Sequence, residues 1–360
     1  MSPALPRWAD LALLPALTLA AAFLLSGIVL AAAGVDPLRA VPVLIEGAFG
    51  HGEAIGFTLY YATSFVFTGL SVAIAFHAGL FNIGAEGQAY IGGLGVALAA
   101  LGLGHSAPAL ALPVAILGAA AGGAAWAFLP GWLQAWRGSH IVITTIMFNF
   151  IAAALMTWLL VNVLIRPGQQ SPESVEFAAA AWMPRIDVLA AHLGIRLPPT
   201  PLNLSILLAL AATAGYALFI WRTRWGYQLR ALGHNPVAAA YAGISPARGI
   251  VLAMTLSGAL AGLMAVNELL GAQHRLLLNF VGGAGFVGIA VALIGRNRPI
   301  GICLAALLFG ALYQGGAELS FEMPQVTRDL VVTIQGLVIL VCGALEQAFR
   351  ARLARLFGAG

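Results

Sequence analysis

The sequence has 360 residues, of which 61% are hydrophobic and 8% charged, with a net charge of +4. A soluble domain carries roughly 25% charged residues, so this composition excludes a water-covered globule and argues against a nucleic acid polymer as partner. Several apolar stretches reach the roughly 20 residues a helix needs to cross a bilayer. Backbone groups in lipid must bond internally, so an all-α, polytopic transmembrane helix bundle is expected.

In chain order, Arg7-Trp8-Ala9-Asp10 precedes an apolar run from Leu11 to Ala33 that is too long for a signal-peptide core and reads as a retained span. About ten spans are expected, at 11–33, 57–77, 82–104, 108–130, 140–165, 202–221, 248–270, 280–295, 299–317 and 326–346. With both termini cytoplasmic, eleven arginines (among them Arg7, Arg222, Arg224, Arg230 and Arg248) fall inside and six outside, as the positive-inside rule requires. One transmembrane domain over 1–360 is expected, with a proline-rich outer loop at 166–201 and a polar inner segment at 222–247. In the inner segment Asn235 can cap a helix that has Pro236 at its first position and stops at Gly243.

Chemistry-bearing motifs are sparse. GxxxxGK[ST], HExxH and GxSxG do not occur. Cys303 and Cys342 lie in apolar spans without metal-ligand spacing and read as small core residues. No metal and no cofactor is expected on this chain. Polar residues at membrane depth are functional candidates because burying them is costly. Asn82, Glu86 and Gln88 open the third span, and His140, Thr144, Thr145 and Asn149 lie along the fifth. Asn267 and Glu268, at the outer end of the seventh near Gln273, His274 and Arg275, read as a solvated rim or as the outer mouth of a path, the rim preferred. Glu86 then stands as the only intramembrane acid, and no arginine sits mid-span, a pattern that favours a neutral solute and an external energy source over a stand-alone secondary transporter. Gly118xxxGly122 and Gly258xxxGly262 would let helices approach closely. Gly69 to Gly79, followed by Asn82-Ile83-Gly84, weakly echoes Gly285 to Gly295, followed by Pro299-Ile300-Gly301.

Phe81-Asn-Ile-Gly-Ala-Glu-Gly-Gln88, Gly138-Ser-His-Ile-Val-Ile-Thr-Thr-Ile-Met-Phe-Asn-Phe150 and Trp225 to Ile244 occur in order. Over about residues 55–345 the chain resembles the branched-chain amino acid/ribose-type ABC permeases. The first two motifs resemble the nucleoside branch, whose partner is a basic-membrane-protein-type binding lipoprotein; Phe148 and Phe150 stand where Leu and Tyr are usual. The resemblance implies a non-enzymatic subunit importing nucleosides, purines above all, across a bacterial inner membrane. A monosaccharide of the ribose or galactose type is the alternative substrate. It implies a second related permease, ABC ATPases that carry the ATP and Mg, and a periplasmic or lipid-anchored binding protein docked on the 166–201 loop. The segment with Arg230, Asn235, Pro236, Ala239, Tyr241 and Gly243 would couple to the ATPase. Asn82, Glu86, Gln88, His140, Thr144 and Asn149 would line the substrate path, with a purine stacking on Phe81, Tyr90 or Phe148.

Overall fold

The computed structural model describes residues 6, 9, 13–103, 106–166 and 168–356. Arg7, Asp10, the start of the 11–33 segment, the end of 82–104 and Pro167 lie outside the described residues, as does the side chain of Cys342. The helices are α1 Leu14–Ala32, α2 Pro37–Phe49, α3 Gly52–His77, α4 Ala85–Gly102, α5 Pro108–Arg137, α6 Ile141–Asn162, α7 Ile186–His192, α8 Ser205–Arg222, α9 Arg224–His234, α10 Pro236–Tyr241, α11 Pro246–Ala265, α12 Ala284–Ile294, α13 Pro299–Glu322 and α14 Arg328–Leu356. A π-helical stretch, Val266–Gln273, continues α11. The described residues contain isolated β-bridges but no strand.

Each of the ten expected segments contains a helix, but length and apolarity single out fewer spans. Among the described residues, six helices are long and apolar enough to cross a membrane: α3, α5, α6, α8, α11 with its π-helical continuation, and α13. The total rises to seven if α1 and α2, bent by 119°, count as one span. Two of the remaining segments differ locally. Helix α4 carries Glu86 and Gln88 in its first turn. Helix α12 has 11 residues, about 16 Å of helix against a core of roughly 30 Å.

The chain forms two compact units. The first combines residues 1–58 with 310–360. In it, α1 packs against α14 around Leu30, Val35, Ala40, Leu319, Val326, Val331 and Ile334. Helix α2 stands where the sequence reading placed only a connection. Its start signal is plain in retrospect: Asp36 accepts the Leu38 N–H at 2.9 Å and Pro37 occupies the first turn.

The second unit spans 59–309, and its α4, α5 and α11 are joined by backbone contact. A Cβ on Gly258 would lie 2.2 Å from the Gly123 carbonyl oxygen, and one on Gly262 would lie 2.1 Å from that of Ala119. Gly118 meets Gly95 in the same way. The two small-xxx-small patterns therefore have separate tasks: Gly258 and Gly262 seat α5, while Gly118 and Gly122 seat α4.

Candidate functional site

Two polar clusters lie inside the second unit, at different depths along α3. The first surrounds the start of α4. After α3 ends at His77, residues 78–84 run back into the protein before α4 begins. Asn82 is fully buried there. Its amide donates to Gln88 Oε1 at 3.0 Å and Ser257 Oγ at 2.8 Å, while its oxygen accepts from Gly84 N and Gln88 Nε2. Ser257 in turn donates to the Ser71 carbonyl at 2.6 Å. Asn149 reaches across from α6, accepting from Gly87 N and donating to the Ile83 carbonyl, both at 2.9 Å. It thereby satisfies one of the amides that the first turn of any helix leaves open.

Glu86 caps a second helix. Its carboxylate accepts from Gly283 N at 2.9 Å and Gly285 N at 2.8 Å, at the start of α12. The backbones nearly touch, for a Cβ on Gly285 would lie 2.2 Å from Glu86 N. The first turns of α4 and α12 thus meet at one carboxylate, whose negative charge suits both positive helix ends. Short helices that begin within the membrane are a recurrent element of transporter sites.

The second cluster surrounds the π-helical stretch, a rare geometry often found at functional sites. Asn267 is fully buried, which overturns the solvated-rim reading. Its side-chain oxygen accepts from Ser205 Oγ at 2.7 Å and Asn203 Nδ2 at 3.0 Å. Its amide donates to the Tyr60 carbonyl at 3.0 Å and Ser64 Oγ at 2.8 Å. Ser64 passes a hydrogen bond to Glu268 Oε1 at 3.3 Å, and Tyr60 donates to Oε2 at 2.6 Å. Glu268 is therefore an acid within a span helix, read as near the rim because the expected span stopped two residues beyond it, at 270. The π-helical turns carry the span on to Gln273.

The 166–201 loop lies over this end of the unit. Ser174 N donates to the Leu276 carbonyl, Phe177 N to that of His274, and Met183 N to that of Leu270. Trp182 stacks on His274 with ring centroids 4.1 Å apart, and Arg275 pairs with Glu173 at 3.0 Å. Burial holds the His274 pKa below its ordinary 6.5, aided by Arg185 and Arg275 and opposed by the Leu270 carbonyl and Glu176.

At the other end of α3, α9 and α10 form the polar segment. Asn235 Oδ1 accepts from Val237 N and Ala238 N at 3.0 Å each, and Gly243 closes the helix at φ +80°. Ala239 is buried while Val237 and Tyr241 are exposed, Tyr241 at 91%. Arg230 stacks over Trp221 at 4.6 Å, which faces His77 edge-on. Gly233, just before α10, abuts the end of α3, where a Cβ would lie 2.3 Å from the His77 carbonyl oxygen. His77 also bonds Tyr216, whose hydroxyl donates to the Asn297 carbonyl between α12 and α13.

Of the candidate path residues, Asn82, Glu86, Gln88 and Asn149 gather at the mouth of α4. His140 instead precedes α6 with its side chain exposed, and Thr144 bonds the His140 carbonyl of its own helix. The buried face of α6 runs through Ile141, Thr145 and Asn149. The three aromatic candidates pair with different rings, Phe81 with Phe76, Tyr90 with Phe280 and Phe148 with Trp126.

A helical chain with six helices, among the described residues, long and apolar enough to span a bilayer is a multi-pass membrane protein. It belongs to the branched-chain amino acid transport system / permease component family, whose profile matches residues 54–342. It is 34% identical to the guanosine ABC transporter permease protein NupP of Bacillus subtilis, over 89% of this chain and 91% of that protein. It is 35% identical to the glucose ABC transporter permease protein TsgB13 of Haloferax volcanii, over 91% and 85%. The nucleoside ABC transporter permease protein NupB of Lactococcus lactis is 34% identical over 89% of each chain. No solved structure matches.

Proposed function

We propose that this chain is the membrane-spanning subunit of an ABC importer that brings nucleosides, purines foremost, into a bacterial cell across its inner membrane. The observation that carries the reading is α10: a capped helix with Val237 and Tyr241 bare, in a family of permeases, on a chain without a nucleotide-binding motif. Such a helix suits docking into a separate ATPase, which would supply the ATP and Mg. The substrate follows from the relatives named for guanosine and nucleosides. A second related permease and a periplasmic or lipid-anchored binding protein complete the assembly, the latter on the 166–201 loop.

Arg230, Asn235, Pro236, Ala239, Tyr241 and Gly243 form the coupling element on the cytoplasmic side, where both termini also lie. Motion of α10 reaches the path through the Gly233 contact with the turn after α3. Asn82, Glu86, Gln88 and Asn149 then serve the path by setting the mouths of α4 and α12, with His140 and Thr144 at its inner edge. Glu86 is not the only acid within the apolar segments, since Glu268 lies in a span helix as well, so the external energy source rests on the family and no longer on a scarcity of carboxylates. The glucose permease relative favours a hexose as the second reading.

Proteoliposomes holding the assembled complex decide between these readings. Uptake of labelled guanosine should be blocked by vanadate, survive an uncoupler, and be competed by adenosine and cytidine but not by ribose or glucose. Competition by glucose alone would select the hexose reading. Sensitivity to the uncoupler alone would overturn the ABC assignment.

A further inference from the structure

We propose that Glu268 is a substrate-binding acid in the outer half of the path and that it takes the vicinal hydroxyls of the substrate's sugar ring; this rests on the reading of the chain as a nucleoside permease. The argument begins with the direction of the hydrogen bonds. Ser205 and Asn203 donate to Asn267, Asn267 donates to Ser64, and Ser64 donates to Glu268, which also receives the Tyr60 hydroxyl. This relay of donors ends at one carboxylate, with side branches to backbone carbonyls such as those of Tyr60 and Pro201. A side-chain amide anchored through both its oxygen and its nitrogen has a single orientation, so the network is preorganised.

That carboxylate is not saturated. It accepts two hydrogen bonds, whereas a carboxylate offers about four acceptor positions. Among the described residues no cation pairs with it. Glu268 also differs from its neighbour: Asn267 is fully buried, while Glu268 keeps part of its surface open. A deep acid without a counter-charge is costly unless donors arrive from elsewhere.

Glu86 also accepts two hydrogen bonds, but from backbone amides at the start of α12, and it is buried. Glu86 thereby ties two helices together, whereas Glu268 is held by side chains alone and keeps an open face for a ligand. A pair of adjacent hydroxyls matches the two oxygens of a carboxylate, as in the acidic residue that reads a ribose in dinucleotide sites. Guanosine, other ribonucleosides and glucose all carry such a pair, so one acid serves the substrates after which the relatives are named. Free ribose would meet the same acid, and its exclusion falls to the binding protein.

The experiment compares uptake of guanosine and 2′-deoxyguanosine by the reconstituted complex, for the wild-type chain and for Glu268→Gln. The discrimination shown by the isolated binding protein is measured separately and divided out. The wild type should favour guanosine by about ten- to hundredfold beyond the binding protein, the range for hydrogen bonds to a charged group. Glu268→Gln should bring that ratio close to one. An unchanged ratio in an assembled Glu268→Gln complex overturns the proposal, as does an equal loss of both substrates. Glu268→Asp serves where the glutamine variant does not assemble, since it keeps the charge but withdraws it, and a partial fall in the ratio is expected. If neither variant assembles, the wild-type ratio decides: no discrimination beyond the binding protein overturns the proposal. A wild type that carries glucose but no nucleoside sinks the nucleoside reading alone, and glucose against 2-deoxyglucose then replaces the nucleoside pair.

Discussion

Replacing Asn149 by alanine tests whether the polar residues at the mouth of α4 hold the fold or touch the cargo. The side chain makes two bonds across helices, one to Gly87 N and one to the Ile83 carbonyl, each at 2.9 Å. Alanine strands both backbone groups in a site where Asn149 is only 8% exposed. An unsatisfied buried group costs about 1–3 kcal/mol, so the pair amounts to about 2–6 kcal/mol. Thr145 lies one turn away on the same buried face, but its hydroxyl bonds only the Ile141 and Val142 carbonyls of its own helix. Thr145→Ala should therefore cost about 1 kcal/mol or less. Thermal unfolding of the purified chain in nanodiscs, read beside guanosine uptake by the complex, checks both. The expected result is a melting point lowered by several degrees for Asn149→Ala, little change for Thr145→Ala, and uptake that falls in step with stability. Wild-type melting with lost uptake in Asn149→Ala would refute this reasoning and return Asn149 to the substrate.

Three further outcomes follow from other parts of the molecule. Tyr241, 91% exposed on α10, should tolerate Tyr241→Asp without loss of folded protein, while co-purification of the ATPase drops at least tenfold; undiminished capture would remove α10 from the interface. Gly258→Val should prevent α11 from seating on α5, because its Cβ would lie 2.2 Å from the Gly123 carbonyl oxygen; the expected readout is loss of monodisperse protein in gel filtration, and normal yield would contradict the packing. His274 has a folded-state pKa lowered from 6.5, chiefly by burial, so its contribution is fully present above about pH 6.5 and lost as pH falls through the lowered value. Trypsin cleavage at Arg185 or Arg196 in the loop should rise as pH drops below about 6.5, and His274→Asn, which suits the left-handed backbone at φ 55°, should flatten that response.

The sequence made the all-helical membrane class plain, because so few charges and such long apolar runs permit little else. It also exposed α10, whose Asn235-Pro236 start and Gly243 stop are local signals. The depth of each polar residue was harder to read. Asn267 and Glu268 looked like a rim because hydropathy ended the span at 270, and no local pattern announces that π-helical turns will carry it to Gln273. On α6, the spacing grouped His140 and Thr144 loosely with Asn149, whereas the buried row is 141/145/149, packed against Gly84 and Gly87 of the neighbouring segment. Glu86 could be placed at the start of its own helix, but its hold on α12 joins positions 197 and 199 residues apart, which spacing along one chain cannot reveal. The number of crossings is hard to read from sequence because an 11-residue helix such as α12 and a full crossing both appear as apolar runs bounded by glycine.

Uptake of labelled guanosine by host cells with and without this gene is the most direct measurement, made in a strain stripped of other nucleoside carriers. The account predicts that deletion abolishes uptake and that the restored gene recovers it, with competition by nucleosides but not by ribose. Uptake that persists unchanged in the deletion strain would contradict the central claim that this permease carries nucleosides.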